Sequence, residues 1–156
     1  MTSPRNRTDA WRTMPWTLPE TIVALFAFLL NLLWEFLQVP FYAGMPSMPH
    51  WEGIRLCTRA AGGDALLMLA AFWITSGIGR GRSWIVRPTC RSSALFAGTA
   101  WLAAMLVELL SVHVWNRWAY AASMPVVPWL GFGVLPAVQW AVLPPLVLGL
   151  ASRQLR

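Results

Sequence analysis

Residues 18 to 39 read LPETIVALFAFLLNLLWEFLQV. At the helical rise of about 1.5 Å per residue this run crosses the roughly 30 Å hydrocarbon core of a bilayer. Its last turns nevertheless carry Asn31, Glu35 and Gln38. Their spacing of i, i+4, i+7 places them on one stripe of the cylinder. A carboxylate at the bilayer centre costs at least about 2.5 kcal/mol on insertion scales, so that stripe has to face protein or a wet cavity. One apolar helix with one polar stripe is the pattern of a membrane bundle, and the rest of the chain is read against it.

Three more stretches are long and apolar enough to span: 60–78, 93–115 and 131–151. The expected fold is all-α, a single transmembrane domain over 1–156 built as an integral membrane bundle of four helices. The fourth should be kinked, because Pro136, Pro144 and Pro145 fall inside it. Composition agrees: 57% of the 156 residues are hydrophobic and only 12% charged, with a mean hydropathy of +0.53. A net charge of +6 would point to nucleic acid in a soluble chain. Here the arginines flank apolar segments, as topology-setting charges do, and nucleic-acid binding is set aside.

Arg5, Arg7, Arg12, Arg80, Arg82, Arg87, Arg91, Arg153 and Arg156 fall on one side of the spans, against Arg55, Arg59 and Arg117 on the other. The excess predicts that both termini are cytoplasmic, in a bacterial inner membrane, with 40–59 and 116–130 facing outward. The basic leader precedes a long apolar run without a small-residue cleavage site, and reads as an uncleaved anchor. Cys57 and Cys90 come to lie on opposite membrane faces, which rules out a disulfide between them.

In this alternating topology each helix brings one polar group to the outer half of the membrane: Glu35, Asp64, Glu108 and Gln139. Asp64 follows the small residues AAGG, which let a neighbouring backbone approach. Glu108 lies roughly 10 Å inside the outer end of its helix. Groups sharing a depth point to a shared pocket, although bracing between helices would bury the same residues. Two acids close together in a dry site cannot both stay charged without a cation, and Arg55, Arg59 and Arg117 are the outer candidates.

Eleven tryptophans are present. Trp34, Trp51, Trp115, Trp118 and Trp129, with Tyr42 and Tyr120, read chiefly as an interfacial belt, and otherwise as the walls of a small-molecule pocket. The loop MPSMPH sets Met45, Met48 and His50 on the outer side with soft donors of the kind that suit Cu(I), yet its spacing matches no metal signature, and no metal site is assigned. His113 lies about 140° around the helix from Glu108, which weakens an acid–histidine dyad. The segment NRWAYAASMPVVPWLGFG reads as a cap over the acidic layer, with Asn116, Arg117 and Tyr120 projecting onto it. No phosphate loop, nucleophile elbow, zinc or dinucleotide motif is present, so the cofactor is left unknown.

The stretches WEFLQVPFY at 34–42, GGD at 62–64 and RWAYAASMPVVPWLGFGVLPAVQW at 117–140, with Glu108 between them, resemble an uncharacterised group of small bacterial four-helix membrane proteins. The resemblance covers most of the chain and implies the same fold, without a reaction. Members of that group carry His-Cys-Thr before the Gly-Gly-Asp where this chain has Arg59, Ala60 and Ala61, which argues against a metal there. A looser similarity, of chemistry only, is to membrane carotenoid cyclases and hydratases.

These readings favour a protein that binds, and in one version converts, a lipid or isoprenoid-like molecule from the bilayer. Glu35 and Glu108 would serve as proton donor and acceptor with Asp64 tuning them, while Asn31, Gln38, Asn116, Arg117, Tyr120 and Gln139 would orient the ligand. Two alternatives stay open. One is an accessory or assembly subunit docking on a membrane-protein partner or a second copy of itself. The other is a small proton or copper transporter.

Overall fold

The computed structural model describes residues 18–79 and 81–156. Four helices carry the fold: α1 (Pro19–Gln38), α2 (His50–Ile78), α3 (Cys90–His113) and α4 (Val134–Gln154). Each is long and apolar enough to cross a membrane. Arg5, Arg7, Arg12, Arg80 and the leader lie outside the described residues.

Most helix ends fall where the apolar runs stop, but α2 begins at His50 rather than 60. The turns HWEGIRLCTR are polar and so fall below the apolarity of a span, yet nothing in them breaks a helix, and Pro49 supplies the start. Helix α4 begins at Val134 rather than 131, and Gly131 is a loop residue. Pro136 sits in the first turn, where a missing N–H removes no helical bond. Pro144 and Pro145 are accommodated within one continuous helix. A capping box of Thr89 and Ser92 starts α3, each side chain bonding the other's backbone N–H.

The bundle is a square in which α1 packs on α2 and α4, and α3 packs on the same two, leaving α1 and α3 on a diagonal. Small residues at helical spacing make the packing close. In α3 the inward stripe is Phe96, Ala100, Ala104 and Glu108, and in α1 it is Val23, Ala27 and Asn31. Both stripes thus run from apolar to polar toward the same end of the bundle. The outward faces are large and apolar, Leu25, Leu29, Leu33 and Leu37 on α1 and Val138, Val142, Leu146 and Leu150 on α4. That inside-out distribution suits lipid as solvent.

The two ends of the bundle differ. At one end Phe72, Trp84 and Phe96 stack with ring centroids 5.7 and 5.8 Å apart. Trp84 Nε1 there donates to Ser76 Oγ at 3.0 Å, and Ile85 is buried beside them. Arg82 binds Glu20 at 2.8 Å and ties this loop to the start of α1. At the other end the α1–α2 and α3–α4 loops are cross-linked by backbone bonds, Ala43 N–H to Ala119 O and Ala121 N–H to Phe41 O, both at 2.9 Å, around an isolated bridge between Tyr42 and Tyr120. The expected cap is therefore a joint product of both loops at this end.

Replacing Thr89 with Ala removes the side-chain acceptor of the capping box. Unfolding of the variant in mixed detergent micelles is expected to show a loss of about 1 kcal/mol, the usual cost of a lost N-cap.

Candidate functional site

Between the bundle and its cross-linked loops lies a cavity of about 590 Å3. Its wall includes Glu35 and Gln38 from α1, Asp64 from α2, Glu108 from α3 and Gln139 from α4, so every helix contributes a polar side chain. These are the groups that the alternating topology places at one depth. Their convergence follows from the stripes: Glu35 and Glu108 each lie one helical turn beyond the small or amide residues, Asn31 and Ala104, at which the facing helices close.

Gln139 is the link between helices. It is buried, and its Nε2 donates to Asn31 Oδ1 at 2.8 Å and to Asp64 Oδ2 at 3.1 Å, joining α4 to α1 and α2. Asn31 in turn donates from Nδ2 to Ala27 O at 2.7 Å. Asn31, expected to touch a ligand, is instead fully buried and absent from the cavity wall, so the structure makes it a support for Gln139.

Glu108 is gripped by the cap. Tyr120 donates to its Oε1 at 2.6 Å, Trp118 at 3.3 Å and Tyr42 at 3.4 Å. The Tyr120 hydroxyl also accepts from Gly133 N–H at 2.8 Å, fixing it to the start of α4. Burial first, and then the Glu108 carboxyl, push both phenols above the ordinary tyrosine range, so each stays a protonated donor. Glu35 is tethered only to its own helix, accepting from Gln38 Nε2 at 2.8 Å.

The cations do not fill the role expected of them. Arg59 and Arg117 line the cavity, but the only ion pair among the described residues is Arg82 with Glu20, and Arg55 is exposed away from the wall. Neutral amide, phenol and indole donors hold the acids instead. Asn116 also departs from expectation: it is exposed, off the wall, and takes the left-handed conformation (φ 49°) that terminates α3 while Arg117 N–H bonds back to Ser111 O.

The aromatic belt divides. Trp51, Trp115 and Trp129 are exposed as interfacial residues are, whereas Tyr42, Trp118 and Tyr120 turn inward onto Glu108. Tyr42 and Trp118, which the sequence offers chiefly as belt residues and only otherwise as pocket walls, belong to the site. No periodicity marks a loop, and the pairing of two loops far apart in the chain leaves no local signal. Met45, Met48 and Cys57 line the cavity, while His50 and His113 are exposed and off it. No group of three or more His, Cys, Asp or Glu among the described residues is placed to hold a metal.

The fold and site together define a multi-pass, all-helical membrane protein with a polar cavity at one end. Comparison with protein-family models, with curated proteins and with solved structures gave no match.

Gln139→Leu keeps the bulk but leaves Asn31 Oδ1 and Asp64 Oδ2 without their donor. Steric trapping or detergent unfolding should register a loss of about 1 to 2 kcal/mol, two interhelical bonds at membrane magnitudes. An unchanged stability would show that the amide is not the interhelical link.

Proposed function

We propose that the cavity takes up a lipid or isoprenoid-like molecule from the bilayer, and that Glu35 and Glu108 form an acid–base pair acting on it with Asp64 as the neighbouring charge. One observation carries this reading. Glu35, Asp64 and Glu108 come from three helices to a single cavity, and each uses only one oxygen in hydrogen bonding. Their second oxygens, Glu35 Oε2, Asp64 Oδ1 and Glu108 Oε2, are neither bonded nor sealed in protein. Pure bracing would use up both oxygens or bury them. A volume of about 590 Å3 lies within the range of ligand sites. Leu56, Leu67, Met105 and Val107 give the same wall an apolar side.

The two glutamates are also unequal, as acid–base chemistry requires. Glu108 is fixed by three donors from the cap, while Glu35 has one amide partner on its own helix and is free to rotate toward a ligand. Gln38, Gln139, Arg117 and Tyr120 orient polar groups around them. Asn31 supports this set from below.

A proton or ion conduit fits less well. The opposite half of the bundle is filled by Phe72, Ile85 and Phe96, and the acid at its end, Glu20, is tied up in the ion pair with Arg82. A docking role has one observation in its favour: Trp129 is fully exposed with left-handed backbone (φ 62°), projecting from the loop before α4. A ring held in that costly conformation without packing contacts suits an anchor in the interface or on a partner.

For orientation, the cavity end carries Arg55, Arg59 and Arg117 and the plugged end Arg82, Arg87, Arg91, Arg153 and Arg156. We place the plugged end and both termini in the cytoplasm of a bacterial cell. Cys90 is exposed at that end. In a Cys57→Ala background a membrane-impermeant maleimide should label it in inverted vesicles and not in intact cells; the opposite pattern reverses the topology.

The ligand reading is tested by native mass spectrometry of the protein extracted in mild detergent. Wild type should carry a small molecule that the Glu35→Gln, Glu108→Gln double variant loses. The same bound mass in both would remove the glutamates from the site, and a protein partner lost from the variant in place of a small molecule would favour docking.

A further inference from the structure

The walls of the cavity also show how it opens. On α2 the lining residues are Leu56, Cys57, Arg59, Ala60, Gly63, Asp64 and Leu67. At about 100° per residue, Ala60 and Leu67 sit near the centre of this face, Cys57 and Asp64 roughly 40 to 60° to one side, and Gly63 about 60° and Arg59 about 100° to the other. Cys57 is buried, whereas Gly63 and Arg59 are exposed. The cavity therefore runs across the face of α2, from the bundle interior to its outside. Helix α3 repeats the pattern: Ala104 and Glu108 are buried, while Val107, turned about 60° outward from Ala104, is half-buried and still on the wall. The two outward edges belong to adjacent helices, so the opening is a slot along the α2–α3 seam. It runs from Arg117 in the cap down to Gly63. A Cβ built on Gly63 meets nothing within 4 Å.

The mouth of this slot is cationic. Arg59 and Arg117 both line it and neither is ion-paired. Arg117 is steadied by lying 5.5 Å from the centroid of the Trp118 ring. Arg59 stands about 7.5 Å along the helix from Asp64, on the side of the cap. A cationic molecule would have to pass both arginines first.

We propose, building on the ligand reading above, that the ligand is an amphiphile with an anionic head, which slides in sideways from the bilayer through the α2–α3 seam. Arg59 and Arg117 hold the head, and the chain lies along Leu56, Ala60, Leu67 and Val107. The shared chemistry of the head is a phosphate or carboxylate group, for which the planar guanidinium is the fitting donor.

Two adjacent glycines give the test its control. Gly62 and Gly63 both have open space where a side chain would grow, and only Gly63 is on the cavity wall. The protein in phosphatidylcholine nanodiscs is photolabelled with a diazirine-bearing hexadecyl phosphate and with the corresponding neutral alcohol, and the adducts are mapped by mass spectrometry. Wild type is expected to favour the phosphate, with adducts on α2 and α3. A Gly63→Ala, Leu, Phe series should reduce labelling in order of size, by about tenfold at Phe, while Gly62→Phe leaves it unchanged. Arg59→Gln with Arg117→Gln should abolish the preference for phosphate by about tenfold or more, the scale of a charge-assisted hydrogen bond, without loss of alcohol labelling.

Equal labelling of Gly62→Phe and Gly63→Phe would overturn the lateral route. Equal labelling by the two probes in wild type would overturn the anionic head, and competition by excess inorganic phosphate would transfer the arginine site to a free anion. All three outcomes leave the cavity as a ligand site. Adducts confined to outward faces and indifferent to Glu35→Gln and Glu108→Gln would instead overturn the ligand reading itself.

Discussion

Hydrocarbon offers no hydrogen-bond partners, and in this chain that shortage is met chiefly by one side-chain amide. Gln139 gives both its N–H groups to side-chain acceptors on two other helices, Asn31 on α1 and Asp64 on α2. Asn31 passes its own N–H to the carbonyl of Ala27. Without Gln139, Asn31 Oδ1 and Asp64 Oδ2 would lose the donor that joins them. With it, α1, α2 and α4 are held at one rotation and one depth, and Glu35 and Glu108 are presented from the diagonal pair α1 and α3. The apolar seams below this layer are made of small side chains that fit many registers. The polar layer is where one register becomes preferred, because a slip of one residue would turn an acid toward lipid.

The cap depends on the same logic from the other side. Tyr42, Trp118 and Tyr120 have amphipathic rings suited to the membrane interface, yet all three direct their donors to one oxygen of Glu108. Two short loops pair through backbone bonds at Ala43 with Ala119 and Phe41 with Ala121, which brings the rings together. The acid thus organises the cap, and the cap holds the acid in a single orientation. Phenols that burial and the carboxyl keep protonated are durable donors for this purpose. The opposite end has no such polar centre and is closed by stacked Phe72, Trp84 and Phe96. The bundle is thus closed by aromatic rings at one end and carries its polar cavity at the other.

Much of this architecture is legible in the linear chain because membranes impose strong local rules. Four apolar runs of spanning length define four helices. The i, i+4, i+7 spacing of Asn31, Glu35 and Gln38 identifies an inward stripe. The alternation of direction places Glu35, Asp64, Glu108 and Gln139 in one layer. Each inference needs only distances along a helix and the cost of a charge in lipid. The extra turns of α2 from His50 escape this reading because their polarity falls outside the apolar criterion.

Only the tertiary structure decides what those residues do to one another. It makes Asn31 a support and Gln139 the bridge, removes Asn116 from the site to a helix-ending turn, and leaves Arg59 and Arg117 unpaired at the mouth. It also recruits Tyr42 and Trp118 from loops 66 and 10 residues away from Glu108. Hydrophobicity and helical period act within a helix and are written in consecutive residues. Side-chain hydrogen bonds between helices and loops depend on rotation, packing distance and the path of irregular backbone, which no local spacing encodes.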